Sequence, residues 1–373
     1  MRQLIYIIGI CIASYMWGDF MKKSIISFVL TIVILLGLLG ATMPIKAEAA
    51  SASKNVVIVI DPGHGGTGER NLGAQYNGFS EKEMTMQVAT AMKEELEKYD
   101  NVTVYLTRTT DTFISLEDRA ATAQSLKADF MYSIHFNASL EHNFYGSEIW
   151  TSAFGSFYKK GTEFGQIMSD ELGNLGLYQK GVKTKIGKTG KDYYGIIRQS
   201  VARDIPCVII EHAYLDHGYD LPFLNTSGFL KTLGVTDATA VAKYFKLTSK
   251  TTGADYSNYS FKTVSMPKTR LSQDFTEPDY CKVSCVSFDS NSRNALIEMS
   301  TKDSQSPVIY YSYSYDGGKT FSILQMWDRT KETQSFNVNI PKGVVSPTIV
   351  CRAYNNYELY KESEPVLVTG YTN

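Results

Sequence analysis

Cysteine is scarce in this chain, with five among 373 residues. Four of them, Cys207, Cys281, Cys285 and Cys351, lie beyond the first fifty residues. Their spacing excludes a dense disulfide framework, and Cys281 and Cys285 do not form a metal-binding Cys-x-x-Cys pair. Two states stay open for them: one bridge from Cys281 or Cys285 to Cys351, or free buried thiols. Charge of one sign is lacking too. Lys and Arg number 37 against 38 Asp and Glu, a net charge of −1. No overall basic character exists to attract nucleic acid, so nucleic acid is not expected as a partner. Histidine is also sparse, with five positions: His64, His135, His142, His212 and His217.

Apolar residues are plentiful at 43%, enough for large cores, and the length suits two domains. The N-terminus reads as a processing region. Met21-Lys22-Lys23 opens a basic stretch, Ile25 to Leu39 is nearly all apolar, and "AEA" at Ala47 to Ala49 supplies small residues for cleavage. This is the pattern of a secretory signal, with translation starting at Met21 and the mature chain near Ala50 or Ser51. The earlier run "LIYIIGICIASYMW" is short for a membrane span. The chain is therefore expected to be secreted, with no stable membrane association after cleavage.

Residues 51–248 alternate between strand and helix patterns, which predicts an α/β domain with helices on both faces of a central mixed sheet. "VVIVI" is a strand, and "SEKEMTMQVATAMKEELEKY" a helix with Ser80 and Glu83 as a capping box. "VTVYLTR", "DFMYSIH", "GSEIWTS", "YYGIIRQS" and "PCVIIEHAYL" read as strands. "SLEDRAATAQSLK", a stretch from Phe157 to Leu172, and "DATAVAKYF" read as helices. Residues 249–262 are polar and aperiodic, a linker. Residues 263–373 carry short alternating runs separated by turn residues, the pattern of an all-β, immunoglobulin-like sandwich. "SYDGGKTF" is a hairpin signal within it.

Three apolar runs end in a polar residue that suits chemistry. His64 follows the first strand, His135 closes "FMYSIH", and Glu211 closes "CVII". Neighbouring strands would gather them at the carboxyl edge of the sheet, where open α/β sheets place their sites. Glu81, in the first turn of the first helix, projects over the same edge. Two histidines and a carboxylate suit zinc, with one position left for water. A second carboxylate beside that water can serve as general base. His64, Glu81 and His135 are thus the candidate ligands and Glu211 the candidate base. Asp61 is open between a residue orienting a ligand and a turn former before proline. His212 should face away from Glu211, His217 should lie in a loop, and His142 should be solvated. The segment "YQKGVKTKIGKTGKDYYGIIRQSVAR" is basic and read either as a lip of the cleft or as a solvated loop.

"VVIVIDPGHGG", "GFSEKEMTMQVA", "VTVYLTRTTD", "LEDRAATAQSLKADFMYSIHFNAS", "GSEIW" and "PCVIIEHAYL" occur in that order. Together they resemble the zinc-dependent N-acetylmuramoyl-L-alanine amidases, across Val56 to about Leu247. The resemblance implies zinc held by His64, Glu81 and His135, catalysis by Glu211, and peptidoglycan as substrate. The sequence departs from that pattern in "HAYLDH" after Glu211 and in a longer loop, "GGTGERNLGAQYNG". The alternatives are a zinc peptidase acting on another amide of the wall, or a non-catalytic wall-binding or adhesion protein.

Overall fold

The computed structural model describes residues 54–370 except 69, 70 and 272. The expected signal segment and start site lie outside the described residues. The element order follows the alternation in the sequence: β1 (Val56–Pro62), a small hairpin of β2 (Gln75–Tyr76) and β3 (Phe79–Ser80), then helix α1 (Glu81–Leu96). Next come β4 (Val102–Leu106), α2 (Leu116–Ser125), β5 (Phe130–Asn137), β6 (Ser147–Thr151) and α3 (Gly155–Asn174). The first half closes with β7 (Gln179–Thr184), α4 (Gly195–Val201), β8 (Cys207–Tyr214), α5 (Leu221–Leu224) and α6 (Phe229–Phe245).

Six strands form one mixed sheet in the order β4-β1-β5-β8-β6-β7. β1, β4, β5 and β8 run parallel, and β6 is antiparallel to β8. The central strands are apolar on both faces, as a sheet covered on both sides requires. Ile58, Ile60, Phe130, Tyr132, Ile134, Val208 and Ile210 face α1, α3 and α6 in one core. Val59, Met131, Cys207 and Ile209 face α2 and α4 in a second core. This two-sided alternation brings the carboxyl ends of β1, β5 and β8 side by side.

Local readings differ from the structure at two places. "YYGIIRQS" is not a strand: Tyr193 and Tyr194 precede α4, whose Ile196 and Ile197 are buried under the sheet. A short apolar run does not by itself distinguish strand from buried helix. The capping box at Ser80 and Glu83 does not form, because Ser80 belongs to the β2–β3 hairpin and its hydroxyl accepts from Gln75. Ser115 does cap α2, accepting from the Asp118 amide at 3.1 Å.

Residues 249–262 pack rather than hang free, with Tyr256, Tyr259 and Phe261 against the first core. Beyond them two antiparallel sheets enclose a third core. One sheet has the order β13 (Thr333–Asn339), β10 (Asn294–Lys302), β9 (Tyr280–Asp289). The other has the order β12 (Gln325–Met326), β11 (Val308–Ser314), β14 (Thr348–Asn355), β15 (Tyr360–Glu362), with β16 (Val366–Leu367) also paired to β14. The Asp316 carboxylate in the predicted hairpin accepts from the Lys319 and Thr320 amides, so it is a turn-forming group. The four cysteines beyond the N-terminal region are free thiols.

The C-terminal region docks on the β6–β7 side of the six-stranded sheet, and the described residues from Lys54 onward form one compact unit. Tyr145, Tyr310, Ile309, Leu324 and Tyr354 make a joint apolar cluster. The Tyr310 hydroxyl donates to the Tyr145 carbonyl, and the Tyr178 hydroxyl to that of Ile309. Lys183 Nζ donates to the Asn356 carbonyl at 2.8 Å. The Thr184 amide donates to the Tyr357 hydroxyl at 3.2 Å.

Candidate active site

His64, Glu81 and His135 meet at the carboxyl edge of the sheet, and their donor atoms all lie within 4.8 Å of one another. Glu81 begins α1 and is buried. Its Oε2 accepts from the Ala74 amide at 2.6 Å and its Oε1 from the Phe136 amide at 3.0 Å. His64 Nε2 lies 3.2 Å from Oε2, and His135 Nδ1 lies 3.0 Å from Oε1. Burial opposes the charge on Glu81, but hydrogen bonds from His135 and His64 outweigh it and hold the carboxyl well below its usual range. Two imidazoles and an ionised carboxylate within metal-bridging distance fit a divalent cation such as zinc. No second cluster of this kind occurs among the described residues.

The glycines around the triad answer to close approach. A Cβ on Gly63 would collide with the His135 ring, and one on Gly73 with Glu81 Oε2. His64 itself sits at φ 61, a left-handed backbone that costs a non-glycine residue energy. Two buried arginines hold that strained turn by its carbonyls. Arg119 donates to Pro62 at 2.7 Å and to His64 at 2.6 Å, and Arg108 donates to Pro62 at 3.0 Å and to Gly63 at 2.9 Å. Asp61 pairs with Arg119 at 2.7 Å and accepts from Ser133 and Thr107. It therefore steadies the ligand loop through Arg119, not by contact with a histidine ring. Neither arginine stands out in sequence, although both sit in quoted motifs, "LTR" and "LEDR".

Glu211 pairs in register with His135 on one side and Glu148 on the other. Part of Glu211 faces the cleft, while its Oε2 is shielded and has no hydrogen-bond partner. Burial, reinforced by the charges of Glu81 and Glu148, pushes its carboxyl well above the ordinary range. No ion pair joins it to Arg198 or Arg203. Arg198 bonds the Asp192 and Tyr193 carbonyls, and Arg203 bonds Gln199 and Glu117.

Beside Glu211 lies a buried charge network that sequence reasoning does not single out. Glu148 Oε2 is 2.5 Å from Lys183 Nζ and 3.0 Å from Lys180 Nζ. Its Oε1 accepts from Asn137 at 2.9 Å and from Trp150 at 3.1 Å. Lys180 also pairs with Glu358 of the C-terminal half at 2.5 Å. Burial would raise the Glu148 carboxyl, but Lys180 and Lys183 together lower it to about 2.

The remaining histidines do not join the triad. His212 is buried on the opposite side of β8, with Nε2 at 3.0 Å from Asp237 and Nδ1 at 3.2 Å from the His135 carbonyl. His217 stacks on Tyr145 in a loop. His142, half-exposed, pairs with Asp216 at 2.7 Å and lies against Tyr76.

An α/β fold with a metal-type donor triad and a free carboxylate at one sheet edge defines a hydrolase-like centre. The profile of the N-acetylmuramoyl-L-alanine amidase family matches residues 58–243, which contain all four of these residues. The chain is 32% identical to the N-acetylmuramoyl-L-alanine amidase CwlM of Bacillus licheniformis over 203 residues, 54% of this chain and 73% of that protein. It is 31% identical to the sporulation-specific N-acetylmuramoyl-L-alanine amidase of Bacillus subtilis, over 52% of this chain and 69% of that one. The solved N-acetylmuramoyl-L-alanine amidase of Clostridium difficile 630 is 26% identical, with a TM-score of 0.45, over 52% of this chain and 97% of that one. The chain belongs to the N-acetylmuramoyl-L-alanine amidase family.

Proposed function

We propose that this protein hydrolyses the amide between the lactyl group of N-acetylmuramic acid and L-alanine in peptidoglycan, with Glu211 as general base. Peptidoglycan amidase activity follows from family membership. The observation that carries the mechanism is the unpartnered Glu211 Oε2 in the strand register next to His135. His64, Glu81 and His135 would hold zinc, which when bound polarises a carbonyl and acidifies water. The Glu211 carboxylate, through the part that faces the cleft, takes the proton of the attacking water and returns it to the leaving amine of alanine. Arg108 and Arg119 keep the His64 turn in place, and Gly63 leaves room for the His135 ring.

The expected setting is extracellular, at the cell wall, after removal of the N-terminal signal. The C-terminal half is read as an immunoglobulin-like sandwich from its two packed antiparallel sheets and short alternating strands. A cut at another wall amide is the competing enzyme reading. Mass spectrometry of products from purified peptidoglycan tests the assignment. Peptides with a new L-alanine amino terminus, and glycan with free lactyl carboxylates, are expected. Products cut within the peptide would overturn it.

A further inference from the structure

A cavity of about 840 Å³ opens beside Glu211, within the size range of ligand sites. The metal-type donors do not line it. Its walls come from both halves of the molecule: Lys183, Lys185 and Tyr194 on the catalytic side, and Phe321, Arg352 and Tyr360 on the other. The second wall is fixed in place, because the joint tyrosine cluster and the Lys180–Glu358 pair lock the two halves together.

The charges of this cavity divide into two sets. Glu148 and Glu358 are matched by Lys180 and Lys183. Asp274, also in the lining, accepts from Ser306, Thr276 and Asn355. Glu141 stands at the solvent-exposed rim. Lys185, by contrast, has no carboxylate partner among the described residues and lies 4.2 Å over the Tyr193 ring. Arg352 Cζ lies over the Phe321 ring, at 3.7 Å, and over the Tyr360 ring, at 4.6 Å. Its Nε donates to Glu362 at 2.9 Å and the guanidinium also bonds Tyr354, which together orient its further N–H donors. An unmatched ammonium and a stacked guanidinium in one cavity are the donors a carboxylate needs. The flanking aromatic rings offer apolar faces for small side chains.

We propose that this cavity is the subsite for the peptide stem, with Lys185 from the catalytic half and Arg352 from the C-terminal half binding a peptide carboxylate. The proposal rests on the amidase reading, since that reaction places sugar on one side of the cut bond and peptide on the other. Under it, the C-terminal half selects substrate at the active site rather than anchoring the enzyme to the wall from a distance.

The test is steady-state kinetics of the zinc-loaded full chain on soluble muramyl peptides whose peptide carboxylates are either free or amidated. Calorimetry with the sugar-free stem peptide accompanies it. The wild type should prefer the free-carboxylate substrate. Lys185→Gln and Arg352→Gln should each lower kcat/KM on it by about tenfold to a hundredfold, the scale of a lost hydrogen bond to a charged group. The change should appear in KM, be much smaller on the amidated substrate, and leave zinc content and Tm near wild type. Lys302→Gln, on the other sheet, should keep the wild-type preference. Equal losses on both substrates, or an unchanged preference, would overturn the subsite. So would competition by peptide-free glycan with no binding of the peptide. If no muramyl peptide is cut yet the stem peptide binds and both variants weaken it, the amidase reading fails and the subsite stands.

Discussion

Two carboxylates at the same sheet edge have opposite surroundings. Glu81 faces two imidazoles and two backbone amides, with no lysine or arginine against it. Glu148 faces two lysine ammonium groups. The first arrangement has room and charge for a cation that the chain does not supply. The second already contains its cations, and it extends through Lys180 to Glu358 in the C-terminal half. One region could therefore gain stability from a bound ion, whereas the other carries its own counter-charges. Glu211 lies between them and belongs to neither set of pairs.

Glu81→Gln gives the largest expected effect and breaks the first arrangement. A neutral amide is a poor zinc ligand, and two histidines alone leave too few donors. Zinc content should fall sharply and dye release from peptidoglycan should drop to background. A chelator should lower the Tm of the wild type, because an ion that binds the folded state stabilises it. It should leave the Tm of Glu81→Gln unchanged. A variant that keeps stoichiometric zinc would remove Glu81 from the ligand set.

Glu211→Gln comes next. Its shape is kept and its ability to accept a proton is lost, so turnover should fall by about 100- to 10,000-fold. Zinc content should stay at the wild-type level, which separates this carboxylate from Glu81. Near-normal turnover in a zinc-loaded Glu211→Gln protein would make Glu211 a structural residue.

The two regions also differ in how far sequence exposes them. His64, His135 and Glu211 are legible because each ends an apolar run, and parallel neighbours bring such ends together. Glu81 is legible from its place in the first helical turn. The Glu148 network is hidden by backbone irregularity. Lys180 and Lys183 are three apart, so regular alternation would put them on opposite faces of β7. Gly181 has φ +95, and the β6–β7 register slips between Ser147 and Glu148. This bulge lets both lysines reach one carboxylate. The position of the C-terminal half against the cleft is hidden for another reason. It depends on contacts between residues as distant as Tyr145 and Tyr310, and no local pattern encodes these. Composition alone does not separate lip from loop in the basic segment, whereas Lys183 and Lys185 put part of it in the cleft wall.

Lys180→Met and Glu358→Ala sharpen the comparison through stability. Lys180 is fully buried, and removing it leaves Glu148 with Lys183 alone and Glu358 with only the Tyr214 hydroxyl. Breaking a buried pair on one side costs about 3–5 kcal/mol, so urea unfolding should shift strongly. Glu358 is partly exposed, and Lys180 keeps Glu148 after its loss. Glu358→Ala should therefore cost less, about 1–2 kcal/mol. Neither variant should alter the chelator response. A reversed order of the two losses would show that Glu358, not Glu148, is the main partner of Lys180.

The last effect, visible only as a pH dependence, is expected at Asp220, a buried carboxylate with no salt bridge among the described residues. Burial raises its pKa to about 6 despite hydrogen bonds from the Tyr214 and Gly146 amides. Both amides donate to Oδ2, at 2.8 and 2.7 Å, and Oδ1 has no partner. The folded state thus binds this proton more tightly than the unfolded chain, whose aspartate titrates near about 3.9. Its contribution favours folding below that value and is lost as pH rises toward 6. The loss has an upper limit of about 3 kcal/mol, the free energy that separates those two proton affinities. Asp220→Asn keeps one carbonyl oxygen for both amides and removes the charge. Its stability, from urea unfolding between about pH 4 and 7, should decline less with rising pH than that of the wild type. Equal slopes for the two proteins would show that Asp220 binds its proton no more tightly in the folded state than in the unfolded chain.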